Sequence, residues 1–371
     1  MKIAIIGAGP AGLYAALAAA EKGMTADLYE KRRVGEGIVC GECIFDSLRL
    51  MKKPGVGLLR PVDEIILQGR KPYPFSLSRH RPLWMLDRKT WQRDLARRAV
   101  DKGVSLFERC KITSDRLRSM HNEYAWIIDA SGAPSVTSRH YGFAAEYFKE
   151  FLVAHQVVLA GDFSALWPRI KVAFFEAWPS SNQPAYYWVF PKDEKTANVG
   201  VVCAARKRLD QKTVNLKRRL SEVLKREGLT ETAVLETGGG IAAGRVLPRL
   251  VYGNILLCGD AAGLTSPLHG GGIDLACLSG VLAVEAVRTG GSGVAAYEKT
   301  VKGYLRERTA LEDVTIGKMR RMTFNQFDRL LAGVTAKSRR TRLITGLKNL
   351  DMLLTTLQWF GTTKKSPDWP D

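Results

Sequence analysis

The first thirty residues hold the feature that most restricts the fold of this chain. A short apolar run, residues 3–6, leads directly into a glycine-rich turn over residues 7–12, and the alanine-rich residues 13–22 follow with helical character. A second apolar run over residues 25–29 ends in Glu30. This order predicts a strand, a tight turn, a helix and a second strand, as at the start of a doubly wound α/β fold.

Each glycine of the turn has its own role in binding a dinucleotide. Gly7 permits the tight turn, Gly9 lets the backbone approach a phosphate, and Gly12 lets the helix pack closely. The free amides at the helix start then face a pyrophosphate. Glu30 lies 18 residues after Gly12, where a carboxylate accepts the hydroxyls of a ribose. The unit predicts dinucleotide binding; a glycine turn in another α/β fold is the alternative.

A second glycine cluster, around residue 260, selects among the dinucleotides. Residues 254–258 form another apolar strand, and Asp260 follows at its carboxyl end, where α/β sheets bind ligands. Three glycines at residues 270–272 open a helix predicted over residues 273–287. Asp260 suits ribityl hydroxyls, and the amides of that helix start stabilise negative charge on a flavin pyrimidine. The two clusters together predict bound FAD, unless the second is a loop without a ligand.

Two further segments fit a flavin site. Arg88 precedes a helix predicted over residues 91–101, from which its side chain could reach the flavin or the ribityl chain. A solvated arginine at a helix start is the alternative. Residues 127–132 read as a buried strand that ends in small residues, and such a turn lets the backbone pass close to a cofactor.

Composition and charge restrict the compartment and the partners. The chain has 371 residues, 46% of them hydrophobic, which predicts a large core and two domains. Its six cysteines do not suggest a secreted disulfide framework. The net charge of +19 favours an acidic partner, anionic lipid or nucleic acid, but no nucleic-acid recognition motif accompanies it. No apolar run reaches membrane-spanning length, and the glycines within residues 3–20 argue against a signal peptide.

A strand of alternating aromatic residues is the third informative segment. Tyr186, Trp188 and Phe190 alternate, so they share one face of a strand, and residues 199–204 predict the strand that returns beside it. A face of large aromatic rings suits a long apolar chain without hydrogen-bonding groups. The alternative is that the rings fill the core between sheet and helices.

Three motifs resemble the geranylgeranyl reductase family, within the larger group similar to para-hydroxybenzoate hydroxylase. They are Cys-Gly-Glu at residues 40–42, Tyr-x-Trp-x-Phe-Pro at residues 186–191, and the second glycine cluster at residues 259–273. The resemblance covers about residues 1–310. It implies non-covalent FAD, reduction of isolated double bonds in polyprenyl chains, and a lipid pocket lined by Tyr186, Trp188 and Phe190. Motifs and resemblance together give these cofactor-binding residues: Gly7, Gly9, Ala11, Gly12, Glu30, Cys40, Gly41, Arg88, Gly259, Asp260, Gly271, Gly272 and Ile273.

Cys40 and His269 are the two catalytic candidates. The family has a glycine where this chain has Cys43, which creates a Cys-x-x-Cys spacing typical of redox dithiols that could pass electrons to a flavin. Two small residues at a tight turn are the alternative, and zinc is not expected because no second ligand pair is evident. His269 precedes the triple glycine and could donate a proton to an alkene, or it could serve as a hydrogen-bonding spacer.

The C-terminal segment is strongly basic. Residues 318–365 carry 11 basic and 2 acidic side chains. Leucines at helical spacing predict a basic amphipathic helix, closed by Trp359 and Phe360, that fits an anionic membrane surface. A helix packed on the protein's own core is the alternative. The leucines are Leu343, Leu347, Leu350, Leu354 and Leu357.

The resulting prediction is an α/β protein with a Rossmann-like FAD-binding domain, an inserted antiparallel-sheet substrate domain and a helical C-terminal segment. The FAD-binding domain comprises residues 1–60, 84–145 and 238–310, the substrate domain residues 61–83 and 146–237, and the basic segment residues 311–371.

The predicted function is an FAD-dependent reductase of a polyprenyl lipid, cytoplasmic and peripheral on the membrane. An FAD-dependent monooxygenase and a membrane-surface electron relay are the alternatives. The electron donor stays open between a ferredoxin-like acidic carrier and NADPH, because no second dinucleotide loop is evident.

Overall fold

Three β-sheets and the helices that cover them form the part of the chain that the computed structural model describes, residues 1–78, 81–176, 185–205 and 215–370. The strands, in chain order, are β1 (Lys2–Ile6), β2 (Thr25–Tyr29), β3 (Cys43–Phe45), β4 (Leu58–Pro61), β5 (Ile65–Gln68), β6 (Pro72–Phe75), β7 (Leu83–Leu86), β8 (Ser105–Phe107), β9 (Trp126–Asp129), β10 (Phe151–Ala160), β11 (Ile170–Phe174), β12 (Ala185–Pro191), β13 (Thr196–Ala205), β14 (Ala233–Ala243), β15 (Val251–Tyr252) and β16 (Ile255–Leu257).

The helices alternate with the strands in the N-terminal half and follow one another at the C-terminus. In chain order they are α1 (Pro10–Glu21), α2 (Arg88–Asp101), α3 (Ser114–Glu123), α4 (Val136–His140), α5 (Leu216–Arg226), α6 (Ile273–Thr289), α7 (Gly291–Met319), α8 (Phe324–Val334), α9 (Arg339–Lys348) and α10 (Leu350–Gly361).

The first sheet has the order β15-β16-β9-β1-β2-β8, and all its pairs except β15–β16 are parallel. Apart from its first residue, each of the strands β1, β2 and β9 is buried, as expected where helices cover a parallel sheet. The predicted strand, turn, helix and strand are confirmed. Helix α1 begins at Pro10, before the predicted residue 13, because proline is well suited to the first helical position.

Close packing joins α1 to α6 behind this sheet. A Cβ atom on Gly280 of α6 would lie 2.2 Å from the carbonyl oxygen of Ala11 in α1, so the two helices touch through their backbones there. Helix α2 begins at Arg88, three residues before its predicted start, because the Asp87 side chain caps it by accepting a hydrogen bond from the Thr90 amide.

The second sheet has the order β14-β10-β13-β12-β11-β5-β6 and is antiparallel except for the pair β11–β5. The predicted hairpin of the aromatic strand and its return strand is β12–β13. The predicted domain boundary at residue 238 falls inside β14. That strand stays paired with β10 up to Ala243, opposite Phe151, so the sheet extends beyond the predicted boundary.

The third sheet has the order β3-β7-β4, and strands β5 and β6 of the second sheet lie between β4 and β7 in the chain. It holds the residues that follow the Cys-Gly-Glu segment, since β3 begins at Cys43. The overall class is the predicted one: a Rossmann-like unit, a mainly antiparallel sheet and a helical C-terminal segment.

The C-terminal segment differs from its prediction in two respects. The predicted single helix is two helices, α9 and α10, because the backbone of Asn349 leaves the helical region at φ −126° and ψ 51°. Trp359 does not point to solvent with the leucines but is buried, with its ring 6.2 Å from that of Phe45. Within the described ranges, no helix is both long and apolar enough to cross a membrane.

Candidate functional site

A cavity of about 1540 Å³ lies along the carboxyl ends of β1, β2, β9 and β16 and continues across the face of β12 to helices α7, α8 and α10. Pockets for single small ligands usually measure about 300–1,000 Å³, so this cavity has room for a second ligand beside a dinucleotide. All the predicted site residues line it except Gly12.

The first glycine turn is shaped by contacts that exclude side chains. A Cβ atom on Gly12 would lie 1.8 Å from the Gly7 carbonyl oxygen, and one on Gly7, where φ is +99°, would lie 2.5 Å from the Ala130 carbonyl oxygen. Gly9 instead faces open space among the described atoms, at the start of α1. The turn therefore presents bare backbone and a helix N-terminus to the cavity, which fits a pyrophosphate.

Glu30 lies at the end of β2 and holds the turn from the side. Its Oε2 accepts a hydrogen bond from the Ala8 amide at 2.8 Å, and its Oε1 accepts one from the Arg32 amide at 3.0 Å. Each oxygen keeps a second lone pair, and Glu30 lines the cavity. This placement agrees with its predicted role toward a ribose, which remains a prediction.

Arg88 is not the solvated arginine of the alternative reading. It lines the cavity, and its buried Nε has no hydrogen-bond partner among the described residues. Buried polar atoms are normally paired, so an orphaned donor on a side chain that lines the cavity is available to pair with a ligand group. The neighbouring Gln92 bonds the Ala8 carbonyl at 3.2 Å and thereby ties α2 to the glycine turn.

The second glycine cluster closes the opposite side of the cavity. A Cβ atom on Gly259 would lie 3.0 Å from the Ala11 Cβ, so this loop passes directly beside the start of α1. The Asp260 carboxylate accepts a hydrogen bond from the Thr265 hydroxyl at 2.7 Å. Gly271, Gly272 and Ile273 bring the N-terminus of α6 to the cavity wall. FAD fits this combination of features: the N-termini of α1 and α6, the glycine turn without side chains, and the Arg88 donor.

The Cys-Gly-Glu segment connects the flavin end of the cavity to the aromatic strand. The Glu42 carboxylate accepts bonds from Lys192 Nζ at 3.0 and 3.1 Å and from the Arg88 amide at 3.1 Å. Asn198 Nδ2 donates to the Cys40 carbonyl oxygen at 2.8 Å. Glu42 has a φ of 61°, a strained value for a residue with a side chain, and the buried pair with Lys192 holds it there.

The structure favours the plainer reading of Cys40 and Cys43. Both thiols are free and line the cavity. Burial raises the pKa of Cys43 to about 12, so this thiol stays protonated at neutral pH. Thiol–disulfide exchange needs a thiolate, and Cys43 is therefore a poor redox partner. Cys40 remains a catalytic candidate by prediction; its Sγ accepts a hydrogen bond from the Glu42 amide at 3.3 Å.

Tyr186, Trp188 and Phe190 share one face of β12, as their alternation predicts, and all three line the cavity. Their ring centroids are 6.4 Å and 6.2 Å apart along the strand. Two glycines make space for them: a Cβ atom on Gly200 would lie 2.2 Å from Trp188, and one on Gly41 would lie 3.0 Å from Phe190. The rings thus form a continuous wall that starts at the Cys-Gly-Glu segment.

His269 lies where the flavin end of the cavity meets this wall. Its carbonyl oxygen accepts a hydrogen bond from the Tyr186 hydroxyl at 2.6 Å, and its Nδ1 accepts one from the Gly271 amide at 3.1 Å. Burial and the nearby Arg308 guanidinium lower the pKa of His269 to about 3. The imidazole is therefore neutral at physiological pH, which does not suit a cationic acid.

The sequence alone did not identify several residues that complete the cavity. Arg308 and Glu312 of α7 bring buried charges to its wall. The apolar end is closed by helices α8 and α10, with side chains that include Phe327, Leu330, Val334, Met352 and Trp359. For Arg308 and Glu312, the available signal was a charged pair four residues apart within an otherwise apolar stripe. For the residues at the apolar end, it was the apolar face of each helix.

Comparisons with known proteins agree with this geometry. Residues 113–310 match the model of the FAD binding domain family, and residues 5–36 match that of the NAD(P)-binding Rossmann-like domain. The chain is 28% identical over 331 residues to the digeranylgeranylglycerophospholipid reductase of Methanothrix thermoacetophila, covering 80% of this chain and 82% of the relative. The corresponding reductase 1 of Methanopyrus kandleri is 29% identical over 311 residues, covering 77% and 80%.

Solved structures share the fold. A geranylgeranyl bacteriochlorophyll reductase-like protein from Thermoplasma acidophilum superposes with a TM-score of 0.74 at 20% identity, covering 97% of this chain and 98% of that one. The flavin-dependent brominase Bmp2 gives a TM-score of 0.64 at 16% identity, covering 95% and 94%. FAD as the cofactor is confirmed. The predicted resemblance to the geranylgeranyl reductase family is confirmed by these relatives, and the chain belongs to the FAD binding domain family.

Proposed function

We propose that this protein saturates carbon–carbon double bonds of a polyprenyl lipid chain with electrons from FAD. The observation that carries the proposal is the continuity of the cavity, which runs from the first glycine turn to an apolar end enclosed by α8 and α10. A ligand that fills the part of the cavity between the FAD end and helices α8 and α10 must be long, flexible and apolar. The relatives named above are reductases of digeranylgeranylglycerophospholipid, which carries chains of this kind.

The protein's own contribution is to position the reactants and exclude water. When bound and reduced, FAD supplies the hydride. An isolated double bond has no neighbouring carbonyl to accept charge, so it must be held against the flavin in a dry pocket. The rings of Tyr186, Trp188 and Phe190 provide an apolar wall that leads away from the flavin end. The Glu42–Lys192 pair fixes the segment between the two ends.

We further propose that the protein binds the surface of an anionic membrane through α9 and α10. No residue of α9 is buried, and α10 buries Trp359 alone of its residues. Leu343, Leu347 and Leu354 are 57%, 57% and 56% exposed. Exposed leucines beside basic residues match a bilayer with negative headgroups. The basic residues on α9 are Arg339, Arg340, Arg342 and Lys348.

The apolar end of the cavity lies beside this surface. Met352 and Trp359 of α10 line the cavity. Leu354 and Leu357 of the same helix are exposed and face outward. One helix thus presents leucines to the exterior and encloses the cavity with its other face. This arrangement suits a substrate that enters from a bilayer.

The experiment that tests the proposed reaction is anaerobic. Purified protein, with its FAD reduced chemically, is mixed with a geranylgeranyl lipid, and the lipid is examined by mass spectrometry. A gain of two hydrogens for each reduced bond supports the proposal. An oxygenated product formed only in air identifies a monooxygenase. If a carrier such as ferredoxin reoxidises the flavin while the lipid stays unchanged, the protein is an electron relay. Repeating the turnover with NADPH or reduced ferredoxin in place of the chemical reductant identifies the electron donor.

A further inference from the structure

A network of largely buried polar groups lies beside the cavity, and His269, Arg308 and Glu312 of this network line it. Asp274, at the start of α6, accepts bonds from the Ser47 amide and hydroxyl, and Arg308 Nη1 donates to the Ser47 hydroxyl at 3.1 Å. Arg308 Nε lies 3.2 Å from Glu312 Oε1, which in turn lies 3.8 Å from His269 Nε2. Burying such groups is costly, so their position beside the cavity indicates a function.

Glu312 is the member of this network that ends at the cavity. Its side chain is buried and lines the cavity, and its Oε1 forms an ion pair with Arg308 but completes no hydrogen bond of good geometry among the described residues. The charged groups that act on it are Arg308 and Asp313 on its own helix and Asp274 on α6, while Ser266 bonds to it from the loop before His269. Burial outweighs the attraction of Arg308, so the pKa of Glu312 is raised.

His269 fixes the geometry on the opposite side of Glu312. Because the Gly271 amide donates to Nδ1, the neutral ring must carry its proton on Nε2, the nitrogen that faces Glu312. A Cβ atom on Gly271 would lie 2.7 Å from this ring, so glycine at that position is required for the arrangement. The ring also packs edge-on against Phe45. At 3.8 Å, beyond hydrogen-bond distance, the ring borders the carboxyl group and limits where it can lie, but His269 is itself a poor acid.

We infer that Glu312 is the acid that protonates the substrate double bond, with His269 as its positioning residue. The inference rests on the proposed function. One alkene carbon gains a hydride, whose two electrons come from reduced FAD, and the other gains the proton of the Glu312 carboxyl group. The π bond is lost, two C–H bonds form, FAD is left oxidised, and the carboxylate takes a new proton from water.

Glu312→Gln tests the inference, with Glu222→Gln as the matched control, because Glu222 is an exposed glutamate of α5 that does not line the cavity. General acids contribute about 100- to 10,000-fold to rate, so Glu312→Gln should lower kcat at least about 100-fold while KM and FAD affinity stay unchanged. The control should match the wild type. Full activity of Glu312→Gln, or an equal loss in Glu222→Gln, overturns the inference.

Infrared spectroscopy of the FAD-free protein supplies a readout that does not depend on turnover. At neutral pH the wild type should show a carboxylic-acid band that Glu312→Gln lacks and Glu222→Gln keeps. If Glu312→Gln leaves the intensity of this band unchanged, Glu312 is ionised in the wild type and the inference fails. If Glu312→Gln does not fold, His269→Asn is used in its place, and the inference requires it to lower kcat and to shift the carboxylic-acid band. Full activity of His269→Asn with an unshifted band contradicts the inference. Absence of any lipid reduction by the wild type refutes the proposed function alone, because the band still reports on Glu312.

Discussion

The two ends of the cavity are built in different ways. At the FAD end, backbone forms the site: Gly7, Gly9 and Gly12 remove side chains, and the starts of α1 and α6 supply amides. At the lipid end, side chains from β12, α7, α8 and α10 form the walls. The first arrangement binds one rigid cofactor, whereas the second accepts a flexible chain by apolar contact alone. Substitutions should therefore separate cofactor binding from lipid binding.

The largest expected effect is on the FAD end. In Gly12→Val the new Cβ would lie 1.8 Å from a carbonyl oxygen of the turn, so the start of α1 must move and the cofactor site is lost. We expect protein without FAD after gel filtration, as measured by flavin absorbance. Gly303→Ala is the control, because its Cβ would meet open space in an exposed part of α7. Retention of FAD by Gly12→Val would contradict the account of this turn.

The next largest effect concerns the membrane surface. Each leucine removed from an apolar environment costs about 1.5–3 kcal/mol, so Leu347→Glu with Leu354→Glu should weaken binding to anionic vesicles at least about 100-fold. Vesicle sedimentation measures this, and FAD content should not change. Leu235→Glu is the matched control, since Leu235 is 56% exposed on β14 rather than on α9 or α10. Equal loss in the control, or none in the double variant, refutes this surface.

A smaller effect is expected at the aromatic wall. A valine at Gly200 would press on Trp188, whose ring lies 2.2 Å from the position of the new Cβ, and displace it toward the cavity. Overpacking of this kind costs about 1–3 kcal/mol, so KM for the lipid should rise about tenfold. FAD affinity in the same preparation serves as the internal control. A loss of FAD with unchanged KM would reverse the assignment of the two ends.

The smallest effect is the pH dependence contributed by His269. Its pKa falls from 6.5 to about 3 on folding, so only the unfolded chain gains a proton as the pH drops below 6.5. The wild type should therefore lose unfolding free energy more steeply than His269→Asn between pH 6.5 and 3. The extra slope is at most about 1.4 kcal/mol per pH unit, and less because the side chain is 33% exposed. Parallel slopes in urea unfolding would contradict this pKa.

The FAD end was predictable from sequence because its rules are local. Glycine spacing, an apolar strand and a helix start all lie within residues 1–30 or 254–287, and the structure places them as expected. The alternation of Tyr186, Trp188 and Phe190 was equally local. The lipid end was less accessible: Arg308 meets Ser47 across 261 residues of chain, and no local pattern specifies such a contact.

The C-terminal helices show a second reason for failure. Leucine spacing predicted helical structure correctly, but spacing alone does not reveal a break at Asn349. It also does not separate Leu354, which is exposed, from Trp359, which turns inward to Phe45 and Arg81. That choice depends on which surfaces the rest of the fold offers for packing.

The central claim is that one cavity holds FAD at one end and a polyprenyl chain at the other, and a single-turnover experiment tests it most directly. Reduced protein is mixed with a geranylgeranyl lipid without oxygen, and flavin absorbance is followed while the lipid is sampled. The account predicts that one flavin is reoxidised for each double bond saturated, at the same rate. Flavin that stays reduced beside the lipid, or is reoxidised only when air is admitted, would contradict it.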